Sequence, residues 1–141
     1  MNQGLFESLT GRFIDGTPVD SLSATQRRVK SIMDHLSRLF NTRLGSVPHL
    51  RDYGVPDVSE IYRKGPDGID ELRSAIQRTI EKYEPRLMKV KVIQREAENK
   101  KDPRLMFILQ GELLAGGGVV RFQTVFTSTG PSSIAPWKRP E

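Results

Sequence analysis

The side chains able to do chemistry are few in this 141-residue chain, and their spacing builds none of the common catalytic groupings. There are two histidines, His35 and His49, and no cysteine. That excludes a thiolate nucleophile, a disulfide and a cysteine zinc site, and two imidazoles alone cannot complete a zinc shell. No serine stands in a G-x-S-x-G elbow, where a strained turn would expose it as a nucleophile. Gly116-Gly117-Gly118 lacks the Lys-Ser/Thr pair and the helix start of a phosphate cradle, and reads as a turn. Sugar hydrolysis needs two carboxylates about 5–10 Å apart across a cleft. Glu7, Asp15, Asp20 and Glu84 are present but nothing pairs them, and the single tryptophan, Trp137, lies in a proline-rich tail. The reading is no catalytic residue, no metal and no cofactor, with a peptidoglycan hydrolase as the last alternative.

One short sequence does display polar chemistry. In Glu84-Pro85-Arg86 the proline fixes a turn, so a carboxylate and a guanidinium stand at a rigid corner. Arginine binds a carboxylate through two parallel hydrogen bonds, a geometry lysine cannot copy. The residues alone leave two readings open: a partner-binding pair, or an intramolecular surface pair worth at most about 1 kcal/mol.

Charge adds a second question. The net +5, from 22 basic and 17 acidic residues, draws a protein toward nucleic acid, anionic lipid or acidic protein. Its basic clusters, Arg27-Arg28-Val29-Lys30 and Lys89-Val90-Lys91, are short and not interleaved with aromatics. They read as the solvated face of a helix and of a strand, which leaves nucleic-acid binding as the alternative function.

The elements that must position these groups follow from periodicity. Leu5, Phe6 and Leu9 give one or two helical turns an apolar face, too short to stand without docking. Residues 11–22 read as a linker. Ser23-Ala24-Thr25-Gln26 is an S-x-x-Q capping box, and Val29, Ile32, Met33, Leu36, Leu39 and Phe40 then form one stripe on a helix of about 27 Å. His35 lies beside that stripe and reads as a partly exposed surface residue. Residues 41–57 form an ordered loop rich in Gly, Pro and Asp. Asp57 caps a short turn through Ile61 and Tyr62, and Asp67 opens a second long helix with its stripe at Ile69, Leu72, Ile76, Ile80 and Tyr83. Pro85 stops it.

The period then changes. Met88 to Val92 alternates apolar and charged, as a strand with one buried face does. Leu105 to Leu109 is uniformly apolar and predicts a central strand covered on both faces. Residues 115–118 form a hairpin connection, and Val119 to Thr127 is rich in Val, Phe and Thr. The result is an α+β domain, with N-terminal helices packed on a small antiparallel sheet formed by the C-terminal half. The expected division is a docking segment and linker over 1–22, the α+β domain over 23–130 and an irregular tail over 131–141. Either Met88–Arg95 or Val119–Thr127 is expected to be an open sheet edge. No apolar run is long enough to span a bilayer and no secretory leader is recognisable, so a cytoplasmic location is expected.

Several short sequences together carry a resemblance. They are Leu5-Phe6-Glu7-Ser8-Leu9, Asn41-Thr42-Arg43-Leu44-Gly45-Ser46, Asp52-Tyr53-Gly54-Val55-Pro56-Asp57, Tyr83-Glu84-Pro85-Arg86-Leu87 and Val119-Val120-Arg121-Phe122-Gln123-Thr124. In that order they resemble the TssE family of type VI secretion and, more broadly, small baseplate wedge proteins of contractile-tail phages. The resemblance implies a non-catalytic subunit in the cytoplasmic baseplate wedge with TssF and TssG, near TssK and the VgrG spike. It implies a platform on which the contractile TssB–TssC sheath begins to assemble. The family's glutamate-proline-arginine hallmark maps onto Glu84, Pro85 and Arg86, and implies a role in baseplate packing. Leu5, Phe6 and Leu9 are the expected anchor for wedge partners. The lysozyme-like label of some phage relatives finds no support in these residues.

Overall fold

The computed structural model describes residues 23–96, 103–114, 116 and 118–137. Leu5, Phe6 and Leu9 and the 11–22 linker lie outside the described residues. Helix α1 spans Ala24–Phe40. Its start is set by the reciprocal bonds that the capping box requires: the Gln26 backbone N–H donates to Ser23 Oγ at 3.1 Å, and Ser23 N–H to Gln26 Oε1 at 3.0 Å. Its stripe is buried at Ile32, Met33, Leu36, Leu39 and Phe40. Helix α2, Val58–Lys64, is capped by Asp57, whose Oδ1 accepts the Ser59 N–H at 2.9 Å.

Helix α3 spans Pro66–Tyr83 and corrects the expected start. Asp67 is not its cap. Gly65 holds that position at φ 67, a backbone that side chains avoid, and makes no side-chain cap bond. Pro66 follows at the first helical position, where its missing N–H costs nothing. Asp67 instead lies in the first turn, where a carboxylate meets the positive end of the helix.

Strands β1 (Leu87–Arg95), β2 (Leu105–Leu113), β3 (Val119–Phe126) and β4 (Ser133–Pro136) pair antiparallel in the order β1-β2-β3-β4. The helices cover one face, and Leu36, Leu39, Ile76 and Ile80 meet Phe107, Leu109, Phe122 and Phe126 in a single core. The Phe126 ring lies 5.8 Å from Phe40 and 6.0 Å from Phe107, in tilted and edge-on contacts that aromatic quadrupoles favour. The architecture is α+β, as the change of period requires.

Four local expectations change. In β1 the alternation breaks at a bulge: the register shifts between Met88 and Lys91, with Lys89 at φ 53. Leu87 and Val90 therefore both point inward, and Met88 is turned out. β2 is central, but only one face is fully buried. Met106 and Ile108 are half-buried on the outer face, so the unbroken apolar run does not mark two covered faces. The tail is not wholly irregular, because residues 133–136 pair with 122–125 of β3. Its proline is tolerated since Pro136 ends a short edge strand, where a missing donor breaks little pairing. Consequently Val119–Thr127 is internal, and β1 is the long strand without a second neighbour among the described residues. No helix among the described residues is long and apolar enough to cross a membrane.

Candidate functional site

The corner between α3 and β1 is built by the proline. Pro85 pushes the preceding residue out of helical geometry, and Glu84 adopts φ −125, ψ 77 while its N–H still reaches Ile80 O at 2.8 Å. The chain then turns back, Leu87 N–H donating to Glu84 O at 3.2 Å. This turn aims the Glu84 side chain inward, where it is 1% exposed.

Both carboxylate oxygens are saturated there. Oε1 accepts Arg86 Nε at 2.8 Å and the Arg86 backbone N–H at 3.2 Å. Oε2 accepts Arg86 Nη2 at 2.9 Å and His35 Nδ1 at 2.7 Å. Two bonds to each oxygen are about what an ionised carboxylate can accept. Arg86 Nη1 continues the network to Ser31 Oγ at 2.9 Å. Burial pushes the Glu84 carboxyl up, but the hydrogen bonds from Arg86 and His35 outweigh it, lowering the pKa from the ordinary 4.5 to about 2.

Glu84 is thus not displayed for a partner, and the pair is not a surface pair. The fork of Arg86 folds back onto the carboxylate two residues earlier, tying the α3–β1 corner to Ser31 and His35 of α1. Arg86 itself keeps 25% of its side chain exposed. Three of its five N–H bonds are committed to these contacts, so two remain to point at a neighbour. Pro85 shapes the turn without touching the network through a side-chain donor.

His35 is the residue that sequence reasoning missed. It is partly exposed, at 23%, yet its ring is held by Glu84. A signal did exist. Ser31 and His35 are four apart, so they share one flank of α1 beside the apolar stripe, where they make a polar strip able to receive an ion pair. The remaining site candidates, Leu5, Phe6 and Leu9, lie outside the described residues. Among the described residues no group of three or more His, Asp or Glu could hold a metal ion.

The profile of the family described as baseplate wedge protein gp25 matches residues 26–117, from the first turn of α1 to the β2–β3 connection and more than half of the chain. The chain belongs to this family. A chain of the solved structure described as "The baseplate complex from the type VI secretion system" is similar to this wedge protein at 25% identity and a TM-score of 0.60. That similarity covers 75% of this chain and 99% of the other. No curated protein matches it. The Glu84-Pro85-Arg86 corner and its α1 partners fall within the span that the wedge family shares, whereas β3 and β4 lie beyond it.

Proposed function

We propose that this wedge-family chain is a structural subunit of a type VI secretion baseplate, acting by binding and not by catalysis, and that it helps nucleate the contractile sheath. The observation that carries the reading is the similarity, across 99% of its length, of a type VI baseplate chain to a protein whose family is the baseplate wedge. Its partners are then the wedge proteins TssF and TssG, with TssK and the VgrG spike nearby and TssB–TssC sheath subunits above, in the cytoplasm.

Three features give the reading a mechanism. The edge of β1, which has no second neighbour among the described residues, offers backbone N–H and C=O groups to a strand from another chain, the simplest way for a small domain to template an ordered array. The Glu84–Arg86 network makes the neighbouring corner rigid and leaves two guanidinium N–H bonds for a carboxylate or carbonyl of a wedge partner. The apolar Leu5, Phe6 and Leu9 segment supplies an anchor. Affinity purification of the tagged protein from its native cells tests the proposal. Recovery of TssF, TssG or sheath subunits is the expected result; recovery of nucleic acid or cell-wall fragments alone would replace it with one of the other functions.

A further inference from the structure

A second built surface lies on the other flank of α3. Residues 41–57 are stapled to that helix and to themselves. The Thr79 hydroxyl donates to Gly54 O at 3.0 Å in a buried bond, and Asp52 receives both Lys82 Nζ and the Tyr83 hydroxyl. Within the loop, Leu44 N–H reaches Val55 O at 2.8 Å and Val55 N–H reaches Thr42 O at 3.0 Å. Gly54 permits this closeness: its φ is +107, and a Cβ there would stand 2.3 Å from Thr42 O. The loop is therefore preorganised.

Between loop and helix runs a groove of about 640 Å³. Leu44, 42% exposed, and Ala75 give it an apolar floor. Arg51 and Arg78 also line it. Both are exposed, and neither makes a hydrogen bond or ion pair with another described residue. Lys82, the third cation of the groove, is neutralised by Asp52. Among the described residues the groove therefore presents two guanidiniums without an acidic partner over an apolar strip.

We propose that this groove docks an acidic segment of a partner protein, with an apolar side chain laid on Leu44 and Ala75 and carboxylates taken by Arg51 and Arg78. Guanidinium forks match carboxylates in pairs of hydrogen bonds, and preorganisation of the loop lowers the ordering cost of binding. Single-stranded nucleic acid fits less well, because its bases need aromatic faces to stack on. The nearest rings, Tyr53 and Tyr83, are packed edge-on against each other at 4.9 Å and do not line the groove. The inference stands apart from the type VI reading: it concerns the chemistry of a segment, whatever assembly supplies it.

The test is an amide NMR titration of the full chain with a short blocked peptide alternating glutamate and leucine. Its controls are the same peptide with glutamine for glutamate, and oligothymidine. The expected result is shifts confined to residues around Leu44, Arg51, Ala75 and Arg78, with affinity about tenfold weaker for the glutamine peptide. The variants Arg51→Glu and Arg78→Glu should each weaken binding by about tenfold while leaving distant amides unmoved, since both side chains are exposed. Absent or scattered shifts, equal affinity for the glutamine peptide, or tighter occupation by oligothymidine would overturn the proposal. So would peptide-induced release of Leu5 and Phe6 from the groove, which would make the chain's own N-terminal segment the occupant. None of these outcomes bears on whether baseplate proteins co-purify, so the two readings fail separately.

Discussion

Replacing Arg86 by alanine removes the guanidinium that faces both oxygens of Glu84. The carboxylate keeps His35 and the backbone N–H of residue 86, but loses its two-pronged partner at 2.8 and 2.9 Å while staying buried at 1% exposure. Breaking a buried ion pair by deleting one member costs about 3–5 kcal/mol, because the other charge is left uncompensated. A quarter of Arg86 is exposed, which lets water reach the site and puts the expected loss near the lower end, about 3 kcal/mol. A domain of this size has about 5–15 kcal/mol in total, so Arg86→Ala should still fold. At about 3 °C per kcal/mol its Tm should fall by about 10 °C. The assay is urea and thermal denaturation followed by far-ultraviolet circular dichroism at neutral pH. Arg86→Lys should recover part of the loss, since an ammonium restores charge without the fork. The pair Glu84→Gln with Arg86→Met should lose less than the two single changes added together, because each single change strands a partner that the double removes. An Arg86→Ala protein within about 0.5 kcal/mol of the parent would refute the reasoning. It would mean that the corner opens in solution and that the pair is held for a partner alone.

Acid should act on the same group. Glu84 ionises at about 2 in the folded chain against an ordinary 4.5, so as pH falls the unfolded chain takes up the proton first. Its contribution, about 3 kcal/mol, is complete above 4.5 and is lost as pH falls toward 2. Denaturation midpoints measured across that window should fall steeply for the parent and more gently for Glu84→Gln. Gly54→Ala should cost about 2 kcal/mol or more, because it puts a Cβ against Thr42 O at a φ of +107, and urea midpoints would measure it. The same change should also weaken peptide binding at the neighbouring groove. Ser23→Ala should cost about 1 kcal/mol by removing the acceptor for Gln26 N–H, visible as loss of amide-exchange protection confined to the first turn of α1.

What could be read directly was what short stretches of chain decide for themselves. The Ser23–Gln26 box, the stripe from Ile32 to Phe40, the stop at Pro85 and the change from helical to alternating period all depend on neighbours within about one or two turns. They were sufficient for the helices, for the strand segments and for the α+β class. The order of motifs from Leu5 to Thr124 pointed to the wedge family, and the profile match over 26–117, which takes in those from Asn41 to Leu87, agrees with it.

Where local rules competed with packing, packing decided. The bulge at Lys89 lets Leu87 and Val90 share one face, which simple alternation cannot foresee. Gly65 and Pro66 took the start of α3 from Asp67 because a glycine at positive φ could turn the chain abruptly out of α2. The tail joined the sheet because β3 had an open side to pair, so of the two candidate edges Val119–Thr127 was covered and Met88–Arg95 was left.

The site shows the same division most sharply. By itself the sequence determined that a carboxylate, a proline and a guanidinium would stand together at the end of α3, since Pro85 forbids the helix to continue. Only the tertiary structure decided that Glu84 would be buried and shared with His35, a residue 49 positions away on another helix. The groove between Leu44 and Arg78 was decided in the same way, by a loop closing on a helix. Burial and charge pairing depend on which distant surfaces meet, and the chain records that only through the core that brings α1, α3 and the sheet together.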